Sequence, residues 1–140
     1  MRNHRWYASV VLPVLVCVGC AVLGSGSAPD VVGVWKGVDP DGNDLIMEFK
    51  PDRTLMVTLR GDQQYVFSGR YRLDRSVRPM ALDVTDFDYD QLRGSTYLGI
   101  IEFMKDGSMM MRGTFAGPGE KGRRPTSFSS DIVVLKRSAK

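Results

Sequence analysis

The sequence predicts an all-β fold, a single small antiparallel meander β-barrel of about eight strands, and three observations carry that expectation. Apolar residues recur with period two from Trp35 to Leu135, and clusters of Asp, Gly and Pro break the pattern at short intervals. No part of that stretch shows the 3.6-residue apolar spacing of an amphipathic helix. A sheet of that many short strands with one oily face loses its exposed edges by curling onto itself. An unrelated β-sandwich with a core tryptophan is the alternative arrangement of the same strands.

The elements follow in order. Gly33-Val34-Trp35 opens the first strand, and the Trp35 ring is large enough to plug one end of a barrel. Asp39-Pro40-Asp41-Gly42 supplies turn chemistry before a second strand, where Leu45, Met47 and Phe49 alternate with Ile46 and Glu48. Pro51-Asp52 leads to a third, with Leu55, Val57 and Leu59 on one side and Met56, Thr58 and Arg60 on the other. After Gly61-Asp62 the fourth strand sends Tyr65, Phe67, Gly69, Tyr71 and Leu73 one way, and Val66, Ser68, Arg70 and Arg72 the other. Met80, Leu82 and Val84 mark the fifth, and Tyr97, Gly99, Ile101 and Phe103 the sixth. Past Lys105-Asp106-Gly107, the seventh carries Met109, Met111, Gly113 and Phe115. Val133 and Leu135 form the last, which ends at Lys136-Arg137. In a closed barrel this strand neighbours the first, so a cation from it can cover the Trp35 indole face, worth about 0.5 to 2 kcal/mol.

Ahead of the strands, Arg2 and Arg5 form a positive stretch, residues 8–18 an apolar one, and Cys17-Val18-Gly19-Cys20 places small residues before a cysteine. This pattern resembles a bacterial lipoprotein signal, with Cys17 where leucine is usual. The resemblance implies a signal peptide over residues 1–19 and lipidation of Cys20. Residues 20–30, rich in Gly, Ser and Ala, then form a flexible tether, and residues 31–140 the barrel domain. It implies a lipid-anchored protein of the cell envelope, on the outer membrane or the periplasmic face, whose membrane partner is reached through the N-terminal lipid. Ordinary secretion with a cut near Gly26-Ser27-Ala28 is one alternative, although Pro29 follows poorly. A retained anchor is another, but the seventeen residues 8–24 fall short of the ~20 that cross a bilayer and are interrupted by Pro13.

Cleavage before Cys20 restricts the chemistry. Arg2 and Arg5 leave, so 19 basic residues become 17 against 16 acidic ones, a net charge of +1 with no nucleic-acid footprint. His4, the only histidine, and Cys17 leave too. Ser-His-Asp and Cys-His catalysis and ordinary His/Cys zinc sites are thereby excluded from the mature chain. With no disulfide, the domain depends on its core, and its length suffices for a single one.

Gly33-x-Trp35 near the start, with a basic residue such as Arg137 on the final strand, resembles the lipocalin pattern, and further residues extend that resemblance. They are Phe49-Lys50-x-Asp52, Ser68-Gly69-x-Tyr71-x-Leu73-Asp74, Pro79 before Leu82-Asp83, and Gly99-Ile100 with Glu102. Arg124-Pro125-Thr126-Ser127-Phe128 precedes Val134-Leu135-Lys136-Arg137. Together these resemble the uncharacterised lipocalin-like domain expanded in planctomycete-type bacteria. The resemblance implies the barrel fold and brings no activity or site with it. Met109-Met110-Met111 stands where that family has Leu-x-Leu, and the 86–94 connection is longer than usual.

Several clusters invite chemical readings. Asp83, Asp86, Asp88 and Asp90 have the spacing with which a calcium loop begins. Gln91 replaces its sharp-turn glycine and Tyr97 its closing Glu, which excludes EF-hand geometry; a solvated acidic loop with Phe87 and Tyr89 packed beneath it is the expectation, and a looser surface calcium site is the alternative. Methionine thioethers bind Cu(I), yet alternation lets only Met109 and Met111 of the triplet converge, as core or pocket lining. The glycine-rich basic loop 117–125 lacks the strand-to-helix setting of a phosphate loop. Within it Arg124 is expected to pair with Asp83, and Ser127 to bond a strand end. Glu48, Glu102 and Asp83 could serve acid-base chemistry, but no two carboxylates stand at a recognisable catalytic spacing.

The functional expectation is therefore a monomeric, non-catalytic binder of a small apolar or amphipathic ligand, with no cofactor and no metal. Its lining would come from Trp35, Phe49, Tyr65, Phe67, Tyr71, Tyr97, Phe103, Met109 and Met111. The alternative is a tethered domain that contacts proteins or cell-wall polymers through its loops, with those same side chains filling the barrel.

Overall fold

The computed structural model describes residues 29–139; the expected signal peptide, the expected lipidation of Cys20 and the expected tether up to residue 28 lie outside them. Eight strands run in chain order: β1 (Gly33–Val38), β2 (Asp44–Phe49), β3 (Thr54–Arg60), β4 (Gln64–Asp74), β5 (Met80–Thr85), β6 (Thr96–Phe103), β7 (Met109–Ala116) and β8 (Val133–Arg137). Every pairing is antiparallel and between sequence neighbours, and β8 returns to pair with β1, so the sheet closes into a barrel. One 3-10 turn, Asp90–Leu92, is the sole helical element among the described residues.

The registers explain why period-two alternation sufficed to close the sheet. Trp35 lies opposite Met47, Met47 opposite Val57, and Val57 opposite Phe67. On the far side Val84 lies opposite Tyr97, Tyr97 opposite Phe115, and Met111 opposite Val133. Inward residues thus meet inward residues at these seams, and at the closing seam Trp35 lies opposite Arg137. A slip of one residue on any strand would send its apolar set into water.

One end of the barrel is sealed. Trp35 is 1% exposed, and its indole N–H donates to the Val31 carbonyl at 2.7 Å, which folds the incoming chain across the opening. Its ring centroid lies 5.9 Å from that of Phe103, and Phe49 meets Tyr71 edge-on at 5.0 Å. The Arg137 guanidinium sits 4.4 Å above the indole, donates to the Val32 carbonyl at 2.6 Å, and also donates to the Asp30 carbonyl. Gly33 has φ +139° and no side chain at the place where that guanidinium crosses; a Cβ there would collide with it. β1 and β8 are therefore joined by side-chain chemistry as well as by their short ladder.

The long 117–132 connection is strapped to the outer wall. Arg124 donates to the Asp83 carboxylate, to Gly99 O at 2.7 Å and to Leu82 O at 3.1 Å. Arg112 on β7 donates to the Ser127 carbonyl at 2.7 Å and to the Ser129 and Ser130 hydroxyls. Ser127 thus joins the strap through its backbone. Pro125 and Phe128 beside it are half-buried.

Candidate functional site: an apolar cavity in the open half of the barrel

Above the sealed half the interior is hollow. A cavity of about 490 Å³ opens at the end opposite Trp35, with Leu55, Val57, Val84, Met111 and Val133 among the aliphatic residues that line it. These strand residues point inward by alternation. Their side chains are too short to meet across the barrel axis, and that shortfall is what leaves the space.

One wall is aromatic. Tyr65, Tyr89, Phe67, Phe87, Phe115 and Tyr97 form an unbroken chain of neighbouring rings, with successive centroids 6.3, 5.8, 6.1, 5.8 and 5.2 Å apart. Two members come from the 86–95 connection rather than from strands. Asp88 anchors that connection, its carboxylate accepting from the Ser68 N–H at 2.6 Å and from the Ser68 hydroxyl at 2.9 Å. Those bonds, the backbone one first, hold the Asp88 carboxyl below its ordinary value. Phe87 is thereby buried under the loop, and Tyr89 stacks on Phe67 with 25° between the rings. Leu92, from the 3-10 turn, closes the same side.

Tyr97 is a half-buried polar group in this wall. Its ring lies over Gly99 on its own strand and Gly113 on the next; a methyl at either position would collide with it. No hydrogen bond within the described residues engages its hydroxyl, and burial alone pushes the phenol up to about 12. It is a neutral donor and acceptor facing the cavity.

Charge is segregated between the two ends. The mouth loops 39–43, 61–63, 86–95 and 117–132 carry eight acidic and four basic side chains, and Asp39 and Asp131 reach the cavity rim. The turns of the sealed end, 50–53, 75–79 and 104–108, carry five basic and two acidic ones. With Asp39 and Asp131 against one lining cation, Arg112, the mouth is weighted toward negative charge and suits neutral or cationic groups better than carboxylates.

Of the nine residues expected as lining, Tyr65, Phe67, Tyr97 and Met111 border the cavity. Trp35, Phe49, Tyr71, Phe103 and Met109 face the same interior but pack into the sealed half, outside the cavity's lining. Residues that the period-two pattern passed over are Phe87, Tyr89, Gln91 and Leu92 in the connection, with Asp39 and Asp131 at the rim. The alternation Phe87-x-Tyr89 inside an acidic loop was the available signal for two of them.

The acidic run disperses to separate partners. Asp83 goes to Arg124, Asp88 to Ser68, and Asp90 to Arg93 at 2.6 Å. Among the described residues no three His, Cys, Asp or Glu side chains gather as a metal site would require. Glu48, Glu102 and Asp83 lie outside the cavity lining. No family model matches the chain, and no curated protein or solved structure matches it either.

Proposed function

We propose that this protein is a lipoprotein anchored through Cys20 in the cell envelope, whose barrel carries one small apolar or amphipathic ligand without catalysis. The observation that carries the reading is the division of the interior, a packed half around Trp35 below a 490 Å³ apolar cavity. That volume lies in the range of about 300 to 1,000 Å³ typical of small-molecule sites, and a mostly aliphatic and aromatic lining with a few polar groups is their usual composition. The open interior favours carriage over the alternative in which the barrel is filled and only the loops make contacts.

The same geometry shapes the expected ligand. A flat or ring-bearing body suits the aromatic wall, where offset or edge-on contacts are each worth about 0.5 to 1.5 kcal/mol beyond burial. One polar atom suits Tyr97, and a head group without negative charge suits the rim. The test is a fluorescence titration comparing neutral N-phenyl-1-naphthylamine with its sulfonated, anionic counterpart. Saturable one-to-one binding of the neutral probe, with the anionic one weaker at low salt and closer to it at high salt, is the expected result. Absence of saturable binding by either probe would remove carriage from consideration.

A further inference from the structure

We infer that the sealed end of the barrel is a docking surface for an anionic lipid bilayer, a proposal independent of what the cavity holds. The described residues are neutral overall: Arg2, Arg5 and Lys140 fall outside them, which leaves 16 basic and 16 acidic side chains. Attraction to a charged surface must therefore come from the charge segregation described above, and it has a direction. Arg53, Arg70, Arg72, Arg75 and Arg78 are all exposed at or beside the sealed end and, with Lys50 and Lys105, outnumber Asp30, Asp52, Asp74 and Asp106 there, Asp30 being paired with Arg75 at 3.4 Å; the negative mouth points the opposite way.

A second, independent feature lies on the same end. Val77 is 43% exposed at the tip of the β4–β5 turn, between Arg75 and Arg78, and Met104 is 41% exposed beside Lys105 on the β6–β7 turn. Arg78 donates to the Arg75 carbonyl at 2.7 Å and to the Val77 carbonyl at 3.0 Å, bracing the first turn. Apolar tips flanked by cations are what an interfacial contact needs, since the tips enter the head-group boundary while the cations meet lipid phosphates.

The path of the chain gives a third reason. It enters the barrel at this end, held by Arg75 on the Pro29 carbonyl at 2.8 Å and by Arg137 on the Val32 carbonyl at 2.6 Å. The nine residues 20–28 span at most about 30 Å when fully extended. A bilayer that holds the apolar stretch 8–18 or a lipid on Cys20 is therefore within reach of the sealed end. The electrostatic attraction fades within a Debye length, about 8 Å at physiological ionic strength, so it acts only in this orientation. The mouth would then open away from the membrane.

The experiment is amide hydrogen exchange of the full-length chain on phosphatidylcholine vesicles with and without phosphatidylglycerol. Exchange in turns 75–79 and 104–108 should slow about tenfold or more when the anionic lipid is present, and that slowing should vanish at 1 M salt. Loop 86–95 should be unaffected. Arg70→Glu with Arg72→Glu, and separately Val77→Ser, should abolish most of the slowing while strand amides keep their wild-type protection, which shows that the fold is intact. Equal slowing on neutral vesicles, slowing at the mouth loops, no slowing at all, or full slowing in the Arg70→Glu, Arg72→Glu variant would each overturn the proposal. So would tight binding to an acidic polysaccharide without any response to vesicles.

Discussion

Two leucine truncations, one in each half of the barrel, should differ severalfold in cost. Leu135 is 0% exposed, lies opposite Met109 in the sealed half, and is surrounded on all sides. Leu135→Ala loses the transfer free energy of its buried methyl groups and leaves a hole that rigid neighbours cannot close, so the expected cost is about 3 to 5 kcal/mol. Leu59 also points inward, but it borders the existing cavity and is only partly buried. Leu59→Ala enlarges a space that is already present, without a new cavity term, and should cost about 1 kcal/mol. For a domain of this size about 4 °C of melting temperature corresponds to each kcal/mol. Thermal unfolding followed by circular dichroism should therefore show losses of roughly 12 to 20 °C and roughly 4 °C. Losses equal to within about 1 kcal/mol would mean that both halves are packed alike, and the reasoning from a hollow mouth would fall.

Other perturbations probe the remaining features. Val57→Trp should fill the cavity, abolish binding of the neutral naphthylamine probe and change stability by less than about 1.5 kcal/mol, where a packed core would be disrupted more. Arg137→Gln removes the cation above Trp35 and weakens the bonds to Val32 and Asp30, so urea unfolding should show a loss of about 1 to 3 kcal/mol; Arg137→Lys should recover only part of it, because a guanidinium fork serves both roles. Acid should destabilise the fold. The Asp88 carboxyl is held low by the Ser68 backbone and hydroxyl, and Asp74 by the Ser76 hydroxyl and backbone; their contributions are therefore complete above the ordinary carboxylate value near 3.9 and are lost as pH falls through the lower folded-state values. Melting temperatures that stay flat from pH 6 to pH 2 would contradict this. At the alkaline end burial raises Tyr97 to about 12, so its contribution is full below about pH 10 and disappears as pH rises through the folded-state value; in an ultraviolet titration Tyr97 and Tyr71, which burial also raises, should ionise after the exposed phenols.

Alternation along each strand tells which side chains face the barrel axis and nothing about how far along that axis they stand. That is why the strands, their order, the closure of β8 on β1 and the cover of Trp35 by a terminal cation were legible in the chain. It is also why nine inward aromatics and methionines could not be divided from sequence into those that plug and those that line. Phe49 and Phe67 occupy the same phase, yet the first packs against Tyr71 near the sealed end and the second borders the cavity. Axial position depends on strand stagger, a sum of seven turns and one non-local seam, and no local spacing encodes it. The 86–95 connection was legible in part: Gln91 and Tyr97 spoke against a regular calcium loop and Phe87 and Tyr89 were expected beneath the acidic residues, but their seat on Phe67, with Asp88 as the fastener, depends on a contact across the barrel that local spacing does not encode. Gly99 and Gly113, gaps in the apolar pattern, gain meaning only from the Tyr97 ring that lies across them.

Crystallography under xenon pressure reads the division of the interior without any knowledge of the natural ligand, because xenon settles in apolar space that side chains leave open. Xenon should appear between Leu55, Val57 and Met111 and be absent around Trp35 and Phe103. A xenon-free interior with side chains meeting across the mouth, or xenon lodged beside Trp35, would contradict the half-filled barrel on which ligand carriage depends.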